Sequence, residues 1–280
     1  MIYSRIRGGL GNQMFQYSAA RSLADHLGVD LGLDIREYNS SSNFKMGLSN
    51  FNIRANLNPH GLIKHKQDGK FSYIIENLFG KHSHVYHEPF LSFDTNYIMK
   101  PNGTYFKGYW QSEKYFKENK NIRNDFKIVK PTNQKNLHTK IKIQSCNSIS
   151  LHIRRGDYVS NKTHGTCDLP YYHNAVQYFM GLYGNNFEIF AFSDDVNWVK
   201  SNLKLPVKIH FINHNLSKYN YEDMNLMSLC NHNIIANSSF SWWGAWLNYN
   251  PKKIVIAPKN WFANKKVENN DITPENWLRM

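Results

Sequence analysis

Short apolar runs alternate along the chain with longer amphipathic stretches, and their order predicts a parallel α/β protein. Ile2 to Arg7 reads as an alternating strand. "GGLGN" turns it into a helix that places Phe15, Ala19, Leu23 and Leu27 at i, i+4 spacing, and Val29 to Asp34 is the next strand. Two strands joined through a glycine turn and a helix form the β-α-β unit of a parallel sheet. From Ile35 to Gly103 the pattern is irregular, and it predicts one helix, near Tyr73 to Phe79. "TYFKGYW", residues 104 to 110, then reads as a strand, with Ser112 as the N-cap of a helix running through Glu118.

The polar segment "KPTNQKN", residues 130 to 136, reads as a linker or as the lead into a connecting helix. It puts a domain boundary between residues 130 and 146, with 1–140 and 141–280 as the two domains. The rhythm is regular beyond it. Strands are predicted at Ser148 to Ile153, Phe187 to Phe192, Val207 to Ile212, Asn233 to Ala236 and Lys253 to Ile256. Helices are predicted at Tyr171 to Tyr183, Val196 to Leu203, Glu222 to Cys230 and Phe240 to Tyr249. Ligands of such doubly wound sheets bind beyond the carboxyl ends of the strands. Four strand ends therefore carry the candidate chemistry: "RRGDY", "SDD", "NHN" and "NSSFSWW".

Composition bounds the reading without deciding it. The chain of 280 residues is 41% hydrophobic and 15% aromatic, enough for a packed core and too apolar for a disordered chain. Its 34 Lys and Arg against 21 Asp and Glu give a net charge of +13, which attracts nucleic acid, anionic lipid headgroups or phosphorylated small molecules. No run of about 20 apolar residues is present, and "MIYSRIRGGLGN" lacks the apolar core of a secretory signal, so a cytoplasmic protein is expected. Cys146, Cys167 and Cys230 are odd in number and widely spaced, which predicts reduced thiols.

Each strand end admits a functional and a structural reading. Arg154 and Arg155 offer planar paired donors suited to a diphosphate, or they form a structural ion pair such as Arg155 with Asp157. The paired carboxylates of "FSDD", residues 192 to 195, suit the donor edge of a guanine, a metal ion or the cap of the next helix. Asn237, Ser238 and Ser239 open a helix whose N-terminus favours an anion, or they simply cap it while Trp242, Trp243 and Trp246 fill the core. "GGLGNQMFQ" is a truncated dinucleotide fingerprint, with Met14 at the third glycine position and Asp34 as its only suitably distant acid. His82, His84 and His87 have a spacing that a metal can use but that is not specific for one.

Taken in order, "GGLGNQMFQY", "HIRRGDY", "FSDD" and "NSSFSWWGAWL" resemble the motifs of the alpha-1,2-fucosyltransferases of glycosyltransferase family 11, as do "KGYWQSEKYF" and "ITPENWLRM". The resemblance implies a GT-B-type fold, two Rossmann-like domains facing across a cleft, with a last helix packing back on the amino-terminal domain. It implies inverting, metal-independent transfer of L-fucose from GDP-fucose to the 2-hydroxyl of a terminal galactose. By similarity, Arg154 holds the β-phosphate and Arg155 supports it or the local fold. His152 and Asp194 contact the guanine nucleoside, and Ser238 and Ser239 the diphosphate. Asn12 faces the fucose and the acceptor, and Gly11 in the same turn is assigned to the donor. No cofactor or metal is called for. A general base is not named by the motifs; Asp157 is the candidate, unless it is the partner of the arginines, with Glu88, His87 and Glu113 behind it.

Two other classes are weaker. A dinucleotide-dependent oxidoreductase explains "GGLGNQ" and Asp34 but none of the later motifs, and a nucleic-acid-binding protein explains the charge but shows no RNA-binding signature. The expected partners are GDP-fucose and an oligosaccharide or lipid-linked glycan, in bacterial surface-polysaccharide synthesis. The positive charge then serves peripheral association with the anionic cytoplasmic face of the inner membrane.

Overall fold

The computed structural model describes residues 1–39, 44–58, 85–267 and 270–280. The helix expected near Tyr73 to Phe79, and His82 and His84, lie outside the described residues. The chain divides into two compact units, Met1–Val129 and Lys130–Met280.

In the first unit the elements are β1 (Ile2–Arg5), α1 (Leu10–Leu27), β2 (Leu31–Asp34), β3 (Asn56–Leu57), β4 (Val85–His87), β5 (Tyr105–Lys107) and the single-turn α2 (Ile122–Asp125). The five strands form one parallel sheet in the order β3-β2-β1-β5-β4. Helix α1 is buried over nearly all of its first four turns, so its apolar stripe is joined by buried polar residues that carry their own partners. Arg21, for example, pairs with Asp25 at 2.6 Å and Asp125 at 3.2 Å. Gly28 ends the helix at φ 63°, ψ 35°, the left-handed cap that glycine adopts without a side-chain clash. The helix expected from Ser112 to Glu118 is instead one 3₁₀ turn, Glu113–Tyr115, although Ser112 caps it as predicted. Tyr115 and Phe116 are both buried, and Phe116, at φ −147°, leaves helical geometry directly after this turn.

The second unit carries α3 (Gln134–Gln144), β6 (Ser148–Ile153), α4 (Leu169–Tyr183), β7 (Glu188–Ser193), α5 (Val196–Asn202), β8 (Lys208–Ile212), α6 (Asn220–Leu229), β9 (His232–Ile234), α7 (Ser239–Leu247), β10 (Val255–Ala257) and β11 (Leu278–Arg279). All six strands are parallel, in the order β11-β10-β9-β6-β7-β8. The division falls at Val129/Lys130, ahead of 140/141, because α3 belongs wholly to this unit: Ile143 joins a core cluster with Phe190, Phe192 and Leu226. The last helix expected to pack back on the amino-terminal domain is absent among the described residues. Leu278–Arg279 pairs with β10 instead, and Trp277 packs on Trp242 at 5.5 Å.

Helices cover both faces of this sheet, so every residue of β6 is buried, the polar ones included. Ile149, Leu151 and Ile153 pack in the cluster that holds Tyr172 and Phe179 of α4. Alternate residues face the other side, where Ser150 Oγ accepts from Asn233 Nδ2 at 2.7 Å. Trp242, Trp243 and Trp246 are core residues, and the three cysteines are unpaired.

Asn233 ties this layer together. Its Nδ2 also donates to the carbonyl of Met227 at 2.9 Å, and its Oδ1 accepts from Asn248 at 2.8 Å, so one buried amide links β6, β9, α6 and the end of α7. Asn233→Leu is expected to lower the unfolding free energy by about 2–4 kcal/mol, because it leaves several buried polar groups without partners. Urea unfolding followed by circular dichroism measures this; a loss under about 0.5 kcal/mol would show that the amide is not a structural link.

Candidate functional site

The strand order selects where a ligand can bind. In the second unit the chain runs outward from β6 through β7 to β8, then returns to the other side of β6 for β9, β10 and β11. The carboxyl ends of β6 and β9 therefore flank a topological switch point, where the crossovers diverge and leave a crevice. Arg154 and Arg155 follow β6, Asp194 and Asp195 follow β7, and Asn237 to Ser239 follow β9. In the first unit β1 occupies the corresponding position between β2 and β5, with Gly8 to Asn12 following it.

The "RRGD" turn is built around one carboxylate. Asp194 Oδ1 accepts the backbone N–H of Arg155 at 2.9 Å, and its Oδ2 meets Arg154 Nη1 at 2.8 Å. Gly156, at φ 29°, lies so close that a Cβ there would sit 2.5 Å from Asp194 Oδ2. Asp157 pairs with Arg154 Nη2, and the Tyr158 ring lies beneath that guanidinium at 5.0 Å. Two of the five N–H donors of Arg154 are thereby engaged. The structural pair expected between Arg155 and Asp157 is not formed. Arg155 stacks on Trp198 at 3.6 Å and reaches Asp195 at 3.4 Å, while Asp195 caps α5 through the N–H of Trp198.

Asn237 secures the other wall. Its Nδ2 donates to the carbonyls of His164, Gly165 and Trp261 at 3.0, 3.1 and 3.1 Å, which fastens the 158–167 loop to the end of β9. The His164 ring stacks on Tyr158 at 4.8 Å, so this loop carries the aromatic floor under Arg154. Ser238 caps α7, accepting from the N–H of Phe240 at 3.4 Å, and Ser239 is the first residue of that nine-residue helix. His152 is buried on the α7 side of β6, with its ring 5.7 Å from that of Phe240, and its Nδ1 has no hydrogen-bond partner.

At the edge of the first sheet, Gly8 adopts φ 75° and its carbonyl accepts from Gln13 Nε2 at 2.9 Å and Tyr38 Oη at 2.8 Å. The turn thus requires a positive φ at Gly8, which glycine adopts without a side-chain clash. Gly11 is buried in the first turn of α1, and Asn12 Oδ1 accepts from Gln111 Nε2 at 2.8 Å. Asp34 is engaged in structure: burial raises its pKa, but the hydrogen bonds from Arg36 and Tyr105 outweigh burial and hold it below the usual carboxylate range. That leaves the dinucleotide reading without its ribose acid.

The structure thus gathers His152, Arg154, Arg155, Asp157, Asp194, Ser238 and Ser239 at the carboxyl edge of the second sheet, and Gly11 and Asn12 at that of the first. Tyr158, His164, Trp198 and Gln111 were missed by motif reading. Tyr158 and Gln111 had a signal, their places in "HIRRGDY" and "KGYWQSEKYF".

Two parallel, doubly wound units with chemistry at their switch points define the GT-B type of glycosyltransferase fold. A mutant of Arabidopsis thaliana FUT1 in complex with GDP superposes with a TM-score of 0.52 at 12% identity, covering 99% of this chain and 75% of that one. POFUT1 in complex with GDP does so with a TM-score of 0.52 at 13% identity, covering 90% and 95%. The chain belongs to glycosyl transferase family 11, whose family model matches residues 5–280. It is 35% identical to the alpha-1,2-colitosyltransferase of Escherichia coli, covering 100% of this chain and 99% of that protein. It is 33% identical to the O-antigen biosynthesis glycosyltransferase WbnK of Escherichia coli, covering 100% of both.

Burial first, and then the charge of Arg154, push the His152 imidazole down to about 3. A histidine that stays neutral in the fold while the unfolded chain protonates near 6.5 costs stability as pH falls from 6.5 toward 3, and costs nothing above 6.5. His152→Gln is expected to flatten the loss of stability on acidification by up to about 1.4 kcal/mol per pH unit. Urea midpoints of the two proteins between pH 7 and pH 4.5 give the comparison; parallel curves would place His152 in contact with water.

Proposed function

We propose that this glycosyltransferase transfers L-fucose from GDP-fucose to the 2-hydroxyl of a terminal galactose on an oligosaccharide or lipid-linked glycan, inverting the anomeric centre without a metal ion. The observation that carries the reading is the pair Arg154 and Arg155 at the switch point beside the amino end of α7. As the bond between C1 of fucose and the β-phosphate breaks, negative charge grows on the leaving GDP. Guanidinium donors and helix-end N–H groups bind that charge more strongly in the transition state than in the ground state. The acceptor hydroxyl forms the new bond at C1 as the bond from C1 to the GDP oxygen breaks, and its proton passes to solvent water.

Arg154 takes the β-phosphate, Arg155 and the Ser238–Ser239 end of α7 the rest of the diphosphate, and His152 the nucleoside, while Asp194, with both oxygens engaged by Arg154 and Arg155, braces the turn. The unpartnered Nδ1 of buried His152 supports its role, since such an atom calls for a ligand donor or water. For Asp157 the ion pair with Arg154 favours alignment of that guanidinium over proton abstraction. A second reading, transfer of colitose, is favoured by the 35% identity to a colitosyltransferase; colitose lacks the 3-hydroxyl of fucose.

O-antigen assembly, as in the name of the WbnK relative, gives the reaction a membrane setting. No described helix is long and apolar enough to cross a membrane. Helix α3 supports peripheral binding at the cytoplasmic face: Leu137 and Ile141 are exposed one turn apart, flanked by exposed Lys135, Lys140 and Lys142. The sequence has no acidic residue between Asp125 and Asp157.

The deciding assay presents GDP-fucose, GDP-colitose, GDP-mannose and UDP-sugars with β-galactoside acceptors, with and without EDTA. Transfer from GDP-fucose, unaffected by EDTA and reduced about 100- to 1000-fold in folded Arg154→Ala, is expected. Preference for GDP-colitose selects the second reading, and loss of transfer on chelation or a near-normal Arg154→Ala rate defeats the clamp. In cosedimentation, retention on phosphatidylcholine vesicles containing phosphatidylglycerol, weakened in Lys140→Glu/Lys142→Glu, is expected. Equal partitioning to vesicles with and without anionic lipid would sink membrane association.

A further inference from the structure

The turn after β5 holds its backbone in a conformation that its residues do not favour. Trp110 has φ 58°, a left-handed geometry in which a bulky side chain crowds its own backbone, and its surface is fully buried. Backbone strain at a buried aromatic persists only where the surroundings enforce it. The expected strand "TYFKGYW" ends at Lys107 for this reason.

Glu88, which follows β4, does the enforcing. Its Oε2 accepts the N–H of Tyr109 at 2.7 Å and its Oε1 the N–H of Trp110 at 2.8 Å, so both oxygens bind the backbone of the turn. Burial pushes the Glu88 carboxyl up, against the pull of these two bonds. Gly108 lets the turn pass: a Cβ there would lie 2.4 Å from Glu88 Cβ. The Trp110 ring is wedged among Tyr86, Phe106 and Tyr115, with centroids 4.9, 4.9 and 5.5 Å away. Its carbonyl accepts the N–H of Ser112 at 2.8 Å, which turns the chain sharply at Gln111.

Gln111 is delivered by this turn to Asn12. Its Nε2 donates to Asn12 Oδ1 at 2.8 Å, an arrangement that turns the Asn12 Nδ2 away from Gln111. Asn12 Nδ2 then lies on the Gly8 side, 3.2 Å from where a Gly8 Cβ would be, and makes no hydrogen bond among the described residues. A glycine at position 8 keeps that side open. An oriented amide N–H pair at the carboxyl end of β1 is suited to a sugar oxygen.

We propose that Gln111, held by the Glu88–Trp110 turn, is a positioning residue that fixes the Asn12 amide as a hydrogen-bond donor to a sugar hydroxyl. This rests on the proposed function together with the family resemblance, which gives Asn12 the fucose and acceptor side. It also removes Glu88 from the candidate bases, since neither of its oxygens faces a substrate without releasing the turn.

Gln111→Leu keeps the side chain's volume and deletes the donor. It is expected to lower kcat/KM for the acceptor about 10- to 100-fold while GDP binding, measured by calorimetry, and the melting temperature stay at wild-type values. Asn12→Ala/Gln111→Leu is expected to lose no more than Asn12→Ala alone, because a residue acting through Asn12 has nothing left to act on. A readout independent of the sugar transferred is the Asn12 side-chain amide signal in ¹H–¹⁵N spectra, assigned by its absence in Asn12→Ala. That signal is expected to shift in Gln111→Leu. An unmoved amide signal, or losses that multiply in the double variant, would overturn the positioning role. A shifted amide in a protein that transfers neither fucose nor colitose would defeat the proposed function and leave the amide orientation standing.

Discussion

The carboxylate of Asp194 joins the ends of two neighbouring strands, and the site in the second unit depends on it. One oxygen holds the N–H of Arg155, the other the guanidinium of Arg154, and Gly156 is pressed against the same group. Both arginines thereby leave β6 in set directions: Arg154 over Tyr158, Arg155 onto Trp198. Parallel strand ends converge polar backbone and the amino ends of the following helices on one edge. A carboxylate there stabilises the turn that delivers the cations.

The local charge is nevertheless close to balanced, with Arg154 and Arg155 facing Asp157, Asp194 and Asp195. The basic surplus of the chain is therefore not concentrated at this edge. Two ion pairs engage only part of the Arg154 guanidinium, and Ser238 caps the amino end of α7, so the donors at this edge are held in set orientations. Asp157, far more exposed than its partner, is the most accessible of the three carboxylates.

The fold was legible to the extent that the residues repeat a period. From Ser148 onward the expected strands and helices match within a few residues, because a doubly wound sheet alternates elements whose apolar runs are long enough to count. In the first unit β3 and β4 are only two and three residues long and carry no such period. The motifs located the edge residues through the switch-point rule, but they did not reveal what holds them. Asp157 was read beside Arg155 and turned out to pair with Arg154, since sequence adjacency says nothing about which way two consecutive side chains leave a turn. Trp198 and His164 were invisible for the same reason, each being brought in by tertiary packing from the following helix or loop.

The two units solve one local problem in the same way. In "RRGDY" and in "KGYW" a glycine follows a strand end, and in both a neighbouring strand end supplies a carboxylate so close that any Cβ would collide with its side chain, at 2.5 Å for Gly156 and 2.4 Å for Gly108. In both the carboxylate accepts backbone N–H groups of the turn: Asp194 from Arg155, and Glu88 from Tyr109 and Trp110. An unpaired N–H near a sheet edge is costly, and an anion satisfies it more strongly than a neutral acceptor does. The glycines in these motifs are thus required by a carboxylate brace, and the acids that look catalytic in sequence are occupied as structure. The donors are left less occupied: Arg154 keeps N–H groups beyond its two ion pairs, and Asn12 accepts from Gln111 while its Nδ2 makes no hydrogen bond among the described residues.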